Sequence, residues 1–379
     1  MDNRGKAYLV GAGPGDPGLI TLKAVEILKE ADCVIYDFLA NPKLLEHASP
    51  DAEKICVGKK GGTKTISQDE INDLLVKKAR RMMVVRLKGG DPFIFGRGSE
   101  EVQRLAQEGI PFEVVPGVTS ASAVPTYAGI PLTHRELASS VSFVTGQEAP
   151  GKEDSDIAWD RLSHGDGTIV FLMGWKNLPQ ITAKLIDMGR PSATPAAVIS
   201  RGTFTGQRTV VATLDSIADE VERQGIKPPA VVVVGDVVRL RDKLSWFETK
   251  PLFGKRIVVT RALEQAGSFA KILEAKAALP IVFPLIKTVL PSDTRSLDRA
   301  IKRLSIYDWA IFTSVNGVRY FVERLEKLEK DIRELKGVRI CAIGSMTAKA
   351  VEDLGIRVDL VPKEYRAEAI IEALGRRGI

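Results

Sequence analysis

The sequence predicts an α/β protein built on largely parallel sheets, and three observations predict it. Short apolar runs alternate with stretches of helical periodicity along the chain, the pattern of strands crossed by helices. A glycine-rich stretch, Val10-Gly11-Ala12-Gly13-Pro14-Gly15-Asp16-Pro17-Gly18, directly follows the first apolar run, where backbone freedom lets a strand turn into a helix. The alternation then restarts after a charged stretch closed by Pro251. A chain of 379 residues therefore divides into α/β units in series.

Residues 7–11 read as a strand, and residues 19–31 as a helix whose apolar face is Leu22, Val25 and Leu28, widened by Ile27 and Ala31. Residues 33–36 are the next strand. Further buried strands are expected at 83–87, 142–145, 168–173, 196–199 and 230–234, with helices over 68–80, 100–108 and 178–188 between them. A boundary falls near 241–255. Beyond it 255–260 reads as a strand, 267–278 as a helix, 281–284 as a strand, and 309–312 and 338–343 as later strands.

Composition narrows the function classes. Apolar residues at 44% and charged residues at 27% are ordinary for a soluble globular chain. The longest apolar runs, such as 231–234, are far too short to span a bilayer. Residues 1–6 are polar and lead straight into the first strand, so no leader is expected. Cys33, Cys56 and Cys341 are too widely spaced for a disulfide framework or a metal set. They read as core residues of a reducing compartment, which makes the cytoplasm the expected location. The net charge of +6 is scattered, and aromatics are 6%, so a nucleic-acid partner is not expected. The mild positive balance suits an anionic small substrate and by itself singles out none.

Three motifs carry chemistry. Read from Gly13, the first loop satisfies G-x-G-x-x-G, with Asp37 roughly 20 residues on, as in a dinucleotide site. Pro14 and Pro17 remove two backbone donors that a pyrophosphate would use. A nicotinamide-dependent oxidoreductase and a plain unliganded turn both stay open on this string. The second motif runs from Arg86 through Gly89, Gly90, Asp91, Ile94 and Arg97 to Glu101, between a strand and a helix. Its adjacent glycines let a ligand lie against the backbone. Asp91 is suited to accept from a ribose or an ammonium group, and Arg97 to pair a carboxylate through its fork. The third joins Val115-Pro116-Gly117-Val118-Thr119-Ser120-Ala121 to Ala128-Gly129-Ile130-Pro131-Leu132-Thr133-His134-Arg135. Thr119 and Ser120 bring hydroxyls to a helix start, where they are either ligand contacts or an N-cap pair. His134 is either an acid–base group or structural.

These strings resemble the uroporphyrinogen-III C-methyltransferases, of the tetrapyrrole methyltransferase family, over residues 7–247 nearly without a gap. Tyr36-Asp37, Val57-Gly58-Lys59-Lys60, residues 68–72, Met173-Gly174, Gly202-Thr203, Gln207-Arg208 and Pro229-Ala230 extend the match. Residues 89–98 and 129–135 are its most specific parts. The resemblance implies two α/β subdomains, about 1–118 and 119–247, with a cleft between them, in a homodimer. It implies S-adenosylmethionine as cofactor, held folded by backbone groups, and no metal. On that basis Pro14, Gly89, Gly90, Asp91, Ile94, Thr119, Ser120, Met173, Gly202 and Ala230 match cofactor-contact positions. Asp37 and Lys59 match the proton acceptor and donor. Arg97, Glu100, Arg135 and Met173 match positions that hold the macrocycle. Three strings depart from the family pattern: Gln147 stands where His is usual, Ser200-Arg201 where a Glu is common, and Phe171-Leu172 where a Tyr is frequent.

The implied chemistry suits these residue types. Uroporphyrinogen III is a polycarboxylate, which calls for forked guanidinium groups such as Arg97 and Arg135. Methylating a pyrrole carbon requires loss of a ring proton, so a nearby base helps. Asp37 fits if burial raises its proton affinity. Arginine is a very poor base, so Arg97 enters only as a binding group. Two transfers would give precorrin-2. A sister methyltransferase acting on a later corrin intermediate and a non-catalytic tetrapyrrole-binding protein are the remaining alternatives.

Residues 255–379 resemble the first half of uroporphyrinogen-III synthase through residues 256–261, 283–286, 308–318 and 343–348, after a linker at 248–254. Thr313 and Ser314 are either carboxylate contacts or a strand-end turn. The chain ends at 374–379 about where a further strand is expected, so no synthase activity is expected from this chain alone. Substrate and cofactor are the only partners expected besides a second copy.

Overall fold

The computed structural model describes residues 5–58, 66–147 and 156–375. Its first sheet is wholly parallel. The chain runs β1 (Lys6–Gly11), α1 (Leu22–Glu30), β2 (Cys33–Tyr36), β3 (Glu53–Cys56), α2 (Gln68–Ala79), β4 (Met83–Lys88), α3 (Gly98–Gln107) and β5 (Phe112–Val115), and the strands align in the order β3-β2-β4-β1-β5. Strands whose crossovers are helices are covered on both faces, and two cores result. Val10, Val34 and Leu87 face Ala24 and Leu28 of α1, while Leu9, Ile35 and Val84 face Leu75 of α2 and Leu105 of α3. The alternation of neighbours between the two cores is the pleat of the strand. Thr21 caps α1 by accepting from Ala24 N at 3.2 Å. Ser67 and Glu70 close a reciprocal capping box on α2.

The second sheet follows α4 (Ser120–Tyr127). It is made by β6 (Val141–Thr145), α5 (Trp159–His164), β7 (Thr168–Leu172), α6 (Leu178–Asp187), β8 (Pro195–Ser200), β9 (Arg208–Thr213), α7 (Ile217–Arg223) and β10 (Ala230–Val234), in the order β6-β7-β10-β8-β9. Only β6 and β7 pair in parallel; β10 runs against both β7 and β8, and β9 against β8. This mixed sheet differs from the expectation of largely parallel strands. The cause is local: residues 201–207 between β8 and β9 are too few for a parallel crossover, which needs about a dozen. Phe171, Val198 and Val232 line one face of the sheet with Ile181 and Leu185, and Val170, Ala197 and Val231 line the other with Ala121 and Val124 of α4.

After α8 (Arg241–Leu244) the chain packs back on α4. The ring of Tyr127 meets Trp246 and Phe247 edge-on, at 5.0 and 4.8 Å between centroids. Glu248 accepts from Gln207 Nε2, Thr209 Oγ1 and Arg241 Nη2 at 2.6–2.7 Å.

The remaining elements are β11 (Arg256–Val259), α9 (Leu263–Ala275), β12 (Leu279–Val282), α10 (Arg295–Lys302), β13 (Trp309–Phe312), α11 (Val315–Lys327), β14 (Arg339–Ala342), α12 (Ser345–Glu352) and α13 (Ala367–Gly375). By internal contact the chain divides into two units, Met1–Val259 with Ser268–Ile281, and Thr260–Gly267 with Val282–Ile379. The second unit has its own core of Ile301, Leu304, Val318, Leu325, Ile340 and Val351, beside the parallel pair β13 and β14. There Ser314 caps α11 by accepting from Gly317 N at 3.0 Å. Among the described residues no helix is long and apolar enough to cross a membrane.

Candidate active site

Loops from four strands meet at the carboxyl end of the first sheet, the end where open parallel sheets bind ligands. The β1 and β4 loops are joined by paired backbone hydrogen bonds, Gly90 N to Gly13 O at 2.8 Å and Gly13 N to Gly90 O at 3.2 Å. The β5 loop is drawn in by Asp91, whose Oδ2 accepts from Gly117 N at 2.9 Å while its Oδ1 accepts from Phe93 N at 2.8 Å. The β2 loop joins through Asn41 Nδ2, which donates to Gly15 O at 2.7 Å. This approach demands glycine at Gly117: a Cβ there would lie 2.3 Å from Gly90 O and 2.6 Å from Gly11 Cα.

The second sheet contributes one end. Met173 follows β7, Gly202 follows β8 and Ala230 opens the antiparallel β10, and the register pairs Val231 with Leu172 and Ala230 with Ser200. Gly202 lies against the Val124 side chain of α4, the helix that begins at Thr119 and Ser120. Thr119 acts as its N-cap, accepting from Ala121 N at 3.3 Å.

Three contacts that the sequence reading did not foresee pin the β1 loop, two to the β8–β9 link and one to the end of α4. Asp16 N donates to Thr203 Oγ1 at 3.0 Å, Tyr127 Oη donates to Asp16 Oδ2 at 2.7 Å, and Gly15 packs under the Phe204 ring. Burial, then the Asp16 carboxylate, pushes the Tyr127 hydroxyl well above its ordinary range. Tyr127→Phe is expected to cost about 1.5–3 kcal/mol, the value of a hydrogen bond to a charged group, read as a lower urea midpoint at unchanged m-value.

The structure thus brings Pro14, Gly89, Gly90, Asp91, Thr119, Ser120 and Gly202 together, with Met173 and Ala230 on the same end of the second sheet. Ile94 is exposed between Phe93 and Phe95, also exposed. Arg97 and Glu100 stand at the start of α3 and pair with each other, Nε to Oε1 at 2.8 Å and Nη2 to Oε2 at 2.6 Å. Each holds the other charged: Arg97 keeps Glu100 below the usual carboxylate range, and Glu100 raises Arg97. Arg135 is exposed, and among the described residues no hydrogen bond or ion pair joins it to the rest of the site. His134 closes a turn instead, its backbone paired with Ala138 and its Nδ1 accepting from Glu136 N at 3.2 Å. Lys59 lies outside the described residues.

Asp37 ends β2. Its Oδ1 accepts from Arg86 Nη2 at 2.6 Å, and the side chain is 29% exposed. Behind it lies a buried group of charges. Arg86 and Lys88 of β4 and Glu101 of α3 are 2%, 3% and 0% exposed. Glu101 Oε1 accepts from Lys88 Nζ at 2.8 Å, Arg86 Nε at 3.1 Å and Gln68 Nε2 at 3.2 Å. The sequence carried a signal for this group, two basic residues inside an otherwise apolar strand at 83–88. Backbone strain gives a second signal that only the structure reveals. Among the described residues, non-glycine left-handed conformations occur at Phe95, Arg97, Met173, Arg201, Thr203, Ala277 and Glu329. Five of these seven lie in the loops of the site, where strain concentrates when function requires it.

The geometry does not make a dinucleotide site of the first glycine loop. Asp16 folds the loop back on itself by accepting from Gly18 N at 2.8 Å. A 3-10 turn, Pro17–Leu19, starts at the loop, but Asp16 takes its Gly18 N–H. Helix α1 begins only at Leu22, with Thr21 taking the Ala24 N–H, so no α-helix start faces the loop as a pyrophosphate needs.

Known proteins agree with this geometry. A family model described as Tetrapyrrole (Corrin/Porphyrin) Methylases matches residues 6–218, and one described as Uroporphyrinogen-III synthase HemD matches residues 267–378. The porphyrin biosynthesis protein HemD of Ruminiclostridium josui is 41% identical over 374 residues, 98% of this chain and 74% of that protein. The S-adenosyl-L-methionine-dependent uroporphyrinogen III methyltransferase of Methanosarcina barkeri is 54% identical over 244 residues, 64% of this chain and 96% of that protein. A crystal structure of uroporphyrin-III C-methyl transferase from Thermus thermophilus complexed with S-adenyl homocysteine is 43% identical. It covers 62% of this chain and 100% of its own, at a TM-score of 0.54. The chain belongs to the tetrapyrrole (corrin/porphyrin) methylase family, with a uroporphyrinogen-III synthase-type region after it.

Proposed function

We propose that this chain transfers methyl groups from S-adenosylmethionine to two ring carbons of uroporphyrinogen III, giving precorrin-2 for siroheme or cobalamin formation. The observation that carries the reading is the bare backbone of Gly90 facing the start of α4, in a chain of this family. A Cβ at Gly90 would meet nothing nearer than Ser120 N at 3.8 Å and Thr119 Cα at 4.0 Å. The β4 loop therefore faces the start of α4 across bare backbone, the kind of surface a ligand can approach closely. The exposed Met173 and Ile94 supply apolar surface for the uncharged parts of an adenosyl group, so the residues present fit the cofactor.

Pro14, Gly89, Gly90, Asp91, Ile94, Thr119, Ser120, Met173, Gly202 and Ala230 are the residues we assign to holding it. When bound, the sulfonium supplies a methyl group and leaves as a neutral thioether. The chain's own part is alignment, substrate charge and a proton. Arg97, steadied by Glu100, and Arg135 offer donors to the substrate carboxylates, and Met173 borders the macrocycle as well as the cofactor. Asp37, oriented by Arg86, accepts the proton that the methylated pyrrole must lose, and Lys59 is assigned as proton donor. The assignment extends to domain limits of 1–247 and 255–379 about a linker at 248–254, to a homodimer through the methyltransferase region and to a cytoplasmic location. The domain limits rest on the family resemblance and the charged stretch before Pro251, the homodimer on the resemblance, and the location on the cysteine usage.

Anaerobic incubation of the chain with S-adenosylmethionine and uroporphyrinogen III, read by mass spectrometry, tests the function. A product carrying two added methyl groups is expected. Binding of S-adenosylhomocysteine without any transfer would point to a different macrocycle or to a non-catalytic site and would overturn the reading.

A further inference from the structure

The core beneath Asp37 holds three charges, and the proposed reaction gives a role to Arg86 alone. β4 is the central strand of a parallel sheet, where apolar residues are the rule. Its neighbours Val84, Val85 and Leu87 obey that rule; Arg86 and Lys88 do not. Both side chains turn to the α2–α3 face and converge on Glu101, whose Oε1 serves three donors while its buried Oε2 has no partner among the described residues. Buried ion pairs contribute little to stability compared with apolar residues of the same volume. Holding the fold therefore does not account for them.

Arg86 gives the group a direction. Its Nε is fixed on Glu101 at 3.1 Å and its Nη2 on Asp37 at 2.6 Å, while Nη1 reaches the carbonyls of Ile35 and Leu87 at 3.5 and 3.4 Å. A planar fork held at both ends transmits position as well as charge. We propose that Glu101 and Lys88 act through Arg86 as positioning residues, setting the orientation of Asp37 and the net charge that it faces. The inference deepens the proposed function and rests on it. Glu101 shares Arg86 with Asp37 and so weakens the cation's hold on it. Lys88 neutralises part of Glu101 and restores that hold. Burial first, and Arg86 second, lower the proton affinity of Lys88. The groups facing Asp37 are Arg86 and Lys88 of β4 and Glu101 of α3. Glu100 and Arg97 stand at the start of α3, Asp69 at that of α2, and Tyr36 and Cys56 on the β2–β3 side.

The test is the pH profile of anaerobic methyl transfer by the full chain, with S-adenosylhomocysteine affinity measured in parallel. In Lys88→Met, Glu101 draws more strongly on Arg86. The acid limb of the rate profile is then expected to move up by about one pH unit, the low end of what the loss of a nearby charge does. In Glu101→Gln, Arg86 is left to Asp37 alone, and the acid limb moves down instead. Cofactor affinity stays at the wild-type value in both. A structural role would give no displacement of the limb, or the same displacement in both variants, and either result overturns the proposal. Lys88→Met removes a buried cation in favour of an apolar side chain of similar length, so it carries the test alone if Glu101→Gln does not fold. A wild-type chain that binds S-adenosylhomocysteine and transfers no methyl group overturns the proposed function, and this inference with it. Wild-type transfer with unmoved limbs overturns the inference alone.

Discussion

Asp37→Asn is expected to lower methyl transfer by about 10²–10⁴-fold, the range of a lost general base, with the affinity for S-adenosylhomocysteine left nearly unchanged. The substitution keeps the shape of the side chain. It also keeps an oxygen to accept from Arg86 Nη2, the 2.6 Å contact that fixes its direction. What it removes is the ability to take a proton. None of the loop contacts that assemble the glycine site, Gly13 with Gly90 or Asp91 with Gly117, runs through the Asp37 carboxylate. Single-turnover transfer and calorimetric titration with S-adenosylhomocysteine separate the two quantities. Equal losses in both would mean that Asp37 shapes the cofactor site and that the base lies elsewhere.

Strand burial decided how much of the fold was legible. The interior strands β1, β2, β7, β8 and β10 stand in the sequence as apolar runs, and β4 as one broken by Arg86 and Lys88, because both of their faces are covered. The strands that no run announced, β3, β5 and β9, all lie at sheet edges. In β3 only Ile55 is even half-buried, and Glu53, Lys54 and Cys56 are exposed, so one covered face gives too short a signal to read. The antiparallel course of β8 and β9 was equally hidden, since period and hydrophobicity say nothing of direction. Only the shortness of residues 201–207 does.

The candidate site divides along the same line. Gly89, Gly90, Asp91, Thr119 and Ser120 were visible as strings because close backbone approach demands glycine and small polar residues in fixed order. Asp16 and Thr203 stood inside strings as well, but the hydrogen bonds that tie Asp16 to Thr203 and to Tyr127 were not legible, since they join residues 187 and 111 positions apart. Arg86, Lys88 and Glu101 were in view as residues of the second motif, but their burial was not. A charged side chain in a strand reads as solvent-facing until the helix packed over it is placed.

Gly117→Ala is expected to weaken S-adenosylhomocysteine binding by about 100-fold, the scale of a displacement of about 1 Å in an aligned site. The reason is steric and involves backbone on both sides. The added Cβ would sit 2.3 Å from Gly90 O and 2.6 Å from Gly11 Cα, and neither atom belongs to a side chain that can rotate away. Relief requires the β5 loop to withdraw from the β1 and β4 loops. That withdrawal breaks the Gly117 N–H bond to Asp91 and moves Thr119 and Ser120 away from Gly90. Overpacking of this kind also costs about 1–3 kcal/mol in stability, so binding and stability should fall together. Gly109→Ala is the control. Gly109 adopts φ +66° with nothing within 4 Å of an added Cβ, so alanine there incurs about 1–2 kcal/mol of left-handed strain at a turn remote from the glycine loops. A comparable loss of stability in both variants, with binding lost only in Gly117→Ala, would tie the cofactor site to the closeness of these three loops. Binding retained in Gly117→Ala would mean that the ligand does not depend on their approach, and the assignment of Gly89, Gly90, Thr119 and Ser120 would fall.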